Sequence, residues 1–72
     1  MSERPPADNL AAALPREMVR VAGLIPFYRQ VENGGHAAAL MQASIDRAQE
    51  AIASGDVLAM LCANHDLQGY EL

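Results

Sequence analysis

Seventy-two residues with one cysteine make a single domain near the lower size limit for a self-supporting core, with no internal disulfide to staple it. A net charge of −4, with five arginines and no lysine, is the wrong sign for a phosphate-gripping nucleic-acid binder. Apolar residues make up 51% of the chain, yet no apolar run reaches the ~18 residues that span a bilayer, so neither nucleic acid nor membrane is expected as a partner.

The chain opens with "MSERPPADN", which is polar and lacks the basic start and apolar centre of a signal peptide; a cytoplasmic protein is the expectation. Residues 1–8 read as a disordered lead-in, because Pro5-Pro6 favours extended chain, and residues 9–72 read as one helical domain. Asp8 or Asn9 suits the cap of a short turn over "LAAAL". Pro15, followed by Arg16-Glu17, then suits the first position of a new helix.

From Pro15 to Gly35 the positions Met18, Val21, Ala22, Ile25, Tyr28 and Val31 or Glu32 step by three and four, a helical period rather than a strand alternation. Pro26 interrupts this period, since its ring clashes with the carbonyl of Ala22 and offers no amide to it. The expectation is a kink, or a short break near Leu24. Asn33-Gly34-Gly35 then stops the helix, because Asn and Gly tolerate the left-handed conformation of a helix end.

The longest helix follows, from about His36 to Ser54, with Ala37, Met41, Ser44-Ile45, Ala48 and Ile52 on its inner stripe. Gln42, Asp46, Gln49 and Glu50 form the reverse side. Ser54-Gly55-Asp56 reads as a minimal joint: Gly55 closes one helix, and the Asp56 carboxylate caps the next by accepting from the amide of Leu58 or Ala59. So short a joint predicts antiparallel neighbours. The last helix, Val57 to about Leu67, is expected to bury Leu58, Leu61, Cys62 and His65, and to end at Gly69. The fold class is therefore all-α: a kinked first helix, a long alanine-rich helix and a short final helix. Alanine-lined faces bury little surface, so a homodimer is expected.

The chemistry-bearing residues give little purchase for catalysis. Cys62 and His65 share a helical face, but zinc needs three or four ligands, and only His36 and scattered carboxylates remain to supply them. They read as a small buried thiol beside a boundary histidine. Asp46 and Glu50, with Arg47 between them, read as a solvated helix face rather than an acid–base pair. Gly34-Gly35 lacks the preceding strand and the lysine of a phosphate loop. One helix–joint–helix unit also falls short of the three or so that a helical solenoid needs. No enzyme, metal or cofactor is expected.

The site-like signal lies on the first helix. Phe27 and Tyr28 are adjacent and cannot both enter one core, so one of them, or Tyr70 near the C-terminus, is left at the surface, and the pair stands beside Arg29. Aromatic and arginine anchors are the composition of binding hot spots. Arg16 and Arg20 add a basic patch, while the chain from Glu32 onward holds six acids against one arginine. The expected protein-binding residues are Phe27, Tyr28, Arg29, Arg16 and Arg20.

From about Leu24 to Tyr70, the order "IPFYRQ…GGHAAALMQASIDRAQEAIASGDVLAML" resembles small uncharacterised proteins of proteobacterial genomes and prophages. The resemblance implies a phage or prophage setting, in which small acidic helical proteins serve as inhibitors or adaptors of host machinery. It implies no activity. The leading expectation is a non-catalytic helical interaction module. The alternative, from a different class, is an oligomeric protein that sequesters a small anionic ligand between subunits on Arg16, Arg20 or Arg29.

Overall fold

A computed structural model of the chain describes residues 6–71, with side chains from Leu10 onward. Of the expected disordered lead-in, residues 1–5 lie outside the described residues. The rest is three helices, α1 (Pro6–Gln30), α2 (Gly35–Ser54) and α3 (Val57–Gln68), and each packs against both others. Among the described residues there is no strand, so the all-α reading holds.

The first helix departs from expectation. No new helix begins at Pro15 and none ends near Leu24, because α1 runs through both Pro15 and Pro26 without interruption. Each proline leaves one carbonyl without its amide partner, those of Ala11 and Ala22. The two prolines stand eleven residues apart, about three helical turns, so they fall on one stripe. Pro15, Pro26, Ala11 and Ala22 are all exposed. Water therefore reaches both orphaned carbonyls, and the helix survives two residues that would end a buried one.

The opposite stripe of α1 supplies the core. Leu10, Leu14, Val21 and Ile25 are buried there, with Met18, Leu24 and Tyr28 packed at the margin. From α2 come Ala38, Met41, Ile45, Ala48 and Ala51, together with the hydroxyl of Ser44. The expected α2 stripe is right at Met41, Ser44-Ile45 and Ala48, but Ile52 is exposed and Ala51 takes its place.

Turn chemistry fixes both connections. Asn33 holds the left-handed conformation (φ 67°), and Gly34 does not (φ −80°). Gly34 is there for space: a Cβ at this position would lie 1.7 Å from the Tyr28 carbonyl oxygen. At the second joint Gly55 is left-handed (φ 71°), and its amide and that of Asp56 close α2 onto the carbonyls of Ala51 and Ile52. The Asp56 carboxylate accepts from the Ala59 amide at 3.1 Å, capping α3.

The inward face of α3 is not the one the sequence suggests. Ala63 and Leu67 are buried, with Met60 partly buried beside them, whereas Leu58, Leu61, Cys62 and His65 are all exposed. Nearly every position of this helix up to Ala63 is apolar, so its composition names no inner side. What fixes its rotation lies at its C-terminal end, where polar groups from α1 and α2 take hold of it.

Candidate functional site

The residues proposed from sequence divide into two groups with different surroundings. Tyr28 and Arg20 are turned to the C-terminal segment. The Tyr28 hydroxyl donates to the carbonyl of Glu71. The Arg20 guanidinium donates to the carbonyls of Tyr70 (2.9 Å) and Leu67 (3.0 Å), and Glu17 accepts from it on its other side at 2.9 Å. The Leu67 carbonyl belongs to the last turn of α3, whose partial negative charge favours a cation, and Tyr70 lies two residues beyond the helix end. Arg20 and Tyr28 thus bind α1 to the end of α3.

A second set of bonds holds the same segment from α2. Ser44, buried in the core, pairs its hydroxyl with that of Tyr70 at 2.9 Å. Arg47 donates to Ser44 at 3.0 Å and to the Asp66 carboxylate at 3.1 Å. Hydrogen bonding by Ser44, then by Arg47, with the charges of Arg47 and His65 adding to it, holds the Asp66 carboxyl below its ordinary value of 3.8, against the opposing effect of partial burial. A carboxyl depressed in the folded state stabilises it above about pH 4, and that stabilisation is lost as pH falls through the folded value. Asp66→Asn is therefore expected to flatten the acid limb of a thermal-unfolding profile below about pH 4. The change will be small, because the pair is exposed and screened. An acid limb identical to that of the parent would remove Asp66 from the account.

The remaining three residues lie away from this clamp. Phe27 is 55% exposed, and Val19, two turns before it on the same side of α1, is 74% exposed. Gly23 stands between them with open space around it. Arg16 is exposed on this face just before Val19, whereas Arg29, also exposed, is two residues after Phe27 and so about 160° round the helix from it; neither has an ion-pair partner among the described residues. They are thirteen residues apart, roughly 20 Å along the helix axis. With Arg20 engaged elsewhere, the three arginines do not converge on one anion.

Val19 was missed by sequence reasoning, since it lies off the inner stripe and carries no chemistry of its own. Its signal is positional: it falls four residues before Gly23 and eight before Phe27, a single outer row.

Cys62 is exposed, which corrects its reading as a buried thiol. It borders an open groove between α2 and α3 with Arg47, Glu50, Ser54 and Asp66. The one cation of that groove is already bound to Asp66 and Ser44. Among the described residues, no three of His, Cys, Asp and Glu are placed to hold a metal ion. Nor is any described helix long and apolar enough to cross a membrane. No protein-family model, curated protein or solved structure matches the chain, so the geometry stands by itself.

Proposed function

We propose that the chain is a non-catalytic protein-interaction module that acts by covering a partner's surface with the outer face of α1. The observation that carries this reading is Phe27: a large aromatic ring, 55% exposed, on a helix whose other side is already fixed to the core. Around it Val19, Gly23, Pro26 and Ala22 make a shallow apolar strip, with Arg16 beside it and Arg29 on its far edge. An aromatic anchor with arginines near the rim is the arrangement that concentrates binding energy. The partner that fits is a protein with an apolar groove edged by carboxylates, to which the arginines would steer it.

In this reading α2 and α3 form an antiparallel hairpin that serves as a platform, holding α1 in place and leaving its outer face open. An inhibitor or adaptor needs no more than that, and the prophage setting implied by the resemblance suits such a role, with the cytoplasm as its place of action. Tyr28 and Arg20 contribute through the platform rather than by contact.

The test is affinity capture with parent and variant baits, followed by titration of whatever the parent retains. Phe27→Ala is expected to stay folded by circular dichroism and to weaken binding by about 30-fold, the equivalent of a ~2 kcal/mol hot spot. Arg16→Glu and Arg29→Glu should slow association and reduce its salt dependence. A captured protein that binds the folded Phe27→Ala chain as tightly as the parent would show that this face is not the site.

A further inference from the structure

The side of α1 that the core leaves outside has relief. Val19 is 74% exposed, and one turn later Gly23 has nothing within 4 Å of where a Cβ would stand, so a knob is followed by a notch. At 100° per residue, Gly23, Arg16 and Phe27 turn to one edge of Val19, by roughly 40°, 60° and 80°. Pro26, Pro15, Ala22, Ala11 and Arg29 turn to the other edge, and all of these residues are exposed. The second edge also carries the carbonyls of Ala22 and Ala11, the two acceptors that Pro26 and Pro15 leave without an amide.

A second copy laid antiparallel on this face answers each feature. With the two-fold axis level with the midpoint between Val19 and Gly23, each Val19 enters the Gly23 notch of the other chain. An antiparallel two-fold also sets like edges together. On the first edge, each Arg16 comes opposite the other chain's Pro26, one residue from Phe27, and can lie over that ring as a cation–π partner. On the second, each Arg29 comes within a turn of the other chain's orphaned Ala11 carbonyl and has a donor to offer it. Like charges stay apart. The two copies of Arg16 lie about 15 Å from each other along the axis, beyond the screening length of ~10 Å at 0.1 M salt. Arg16 and Arg29 keep to opposite edges, and Arg20 is already paired with Glu17, the only carboxylate between Leu10 and Gln30. A parallel pair would set Val19 on Val19, leave both notches unfilled and align the two helix dipoles.

We infer that the free chain closes the outer face of α1 on a second copy of itself, as an antiparallel two-fold pair with Val19 and Gly23 interlocked at its centre. A closed isologous pair uses this face completely and leaves no edge for further growth. The inference rests on the reading of this face as the binding surface and adds its regulation. A ring face and a carbonyl hold an arginine less tightly than a carboxylate does, so a partner edged by carboxylates displaces the second copy. The contact runs from Ala11 to Gln30, roughly 30 Å of helix, which makes a small interface with a dissociation constant in the micromolar range.

The experiment is sedimentation equilibrium of the full chain, alone, across the micromolar range. The parent is expected to show monomer–dimer exchange. Gly23→Gln should raise the dissociation constant about 30-fold by filling the notch. The open space around Gly23 and the better helix propensity of glutamine keep that variant folded. Leu58→Glu, on the exposed side of α3, should leave the pair unchanged. A disulfide reads the register. With Cys62→Ser in every chain, Val19→Cys chains mixed with Gly23→Cys chains should join to each other under oxidised glutathione, two protein thiols giving one disulfide and two glutathione thiols. Either chain alone should join poorly, because its two cysteines stand about 6 Å apart along the axis in addition to the gap between helices. A monomeric parent, a pair that persists in folded Gly23→Gln or is lost in folded Leu58→Glu, or disulfides that favour either chain alone would each overturn the self-pair. A monomeric parent that still captures a protein through Phe27 would do so with the partner reading intact. A dimeric parent whose folded Phe27→Ala form captures that protein unchanged would retire the partner reading alone.

Discussion

Gly34→Ala is expected to lower the unfolding midpoint by about 10–20 °C, although the backbone there (φ −80°) is one that alanine adopts freely. The cause is contact. A methyl group at Gly34 would lie 1.7 Å from the carbonyl oxygen of Tyr28, 2.8 Å from its carbon and 3.0 Å from the Val31 oxygen. These are backbone atoms, and they are not free to move. Tyr28's carbonyl accepts from the Val31 amide, and Val31's carbonyl accepts from the Gly34 amide at 2.9 Å. Relieving the overlap means opening the turn that directs α2 back onto α1. Overpacking at a site with no flexible side chain to yield falls at the upper end of its usual range, about 3 kcal/mol. The neighbouring glycine supplies the control. Gly35 has open space at its Cβ position and lies at the start of α2, so Gly35→Ala should raise stability by about 0.5–1 kcal/mol. Opposite signs at adjacent glycines are a sharp outcome. Equal effects of the two alanines in thermal denaturation would show that the approach of Gly34 to Tyr28 is not tight.

Leu14→Ala is expected to cost about 3 kcal/mol, within the range found when a fully buried leucine is truncated. For a domain of this length, stable by roughly 4–10 kcal/mol, that is a large part of the total. Leu14 is completely buried, and Leu10 one turn earlier is nearly so. Both precede Pro15, in the part of the chain that the sequence assigns to a short separate turn. If α1 passes through Pro15 and presses these leucines into the core, their loss should be felt by the whole fold in a single cooperative transition. Ala12→Ser, on the exposed side of the same turns, should change little. A Leu14→Ala chain that unfolds at the parent's urea concentration would place the segment before Pro15 outside the core.

What the sequence shows about this fold is mostly local. Asn33 and Gly55 announce their left-handed turns, and Asp56 its cap, because turn and cap preferences depend on a few neighbouring atoms. The continuity of α1 is harder to read. A proline's cost depends on whether the carbonyl it orphans meets water, which requires knowing which side of the helix is buried. The rotation of α3 is harder still: with leucine, methionine, alanine and valine around its circumference, the choice falls to polar groups distant in sequence. Ser44, Arg47 and Arg20 hold its end, and none of them carries a mark of that task. Of the candidate site, the helical period that sets Tyr28 in line with Val21 and Ile25 leaves Phe27 outside, whereas the reach of the Tyr28 hydroxyl to the carbonyl of Glu71, forty-three residues away, carries no local signal.

The grip of α1 on the C-terminal segment also bears on the order of events in folding. The bonds from Arg20 to Leu67 and Tyr70 span 47 and 50 residues of chain, whereas α2 and α3 meet across a two-residue joint. Loop closure is costlier for the longer span, so the local pair has the head start and α1's grip is set late. Bonds made after the rate-limiting step leave the folding rate nearly untouched and slow the reverse reaction instead. On that order Arg20→Ala is expected to speed unfolding and leave the folding rate nearly unchanged, which stopped-flow measurement of both rates would check.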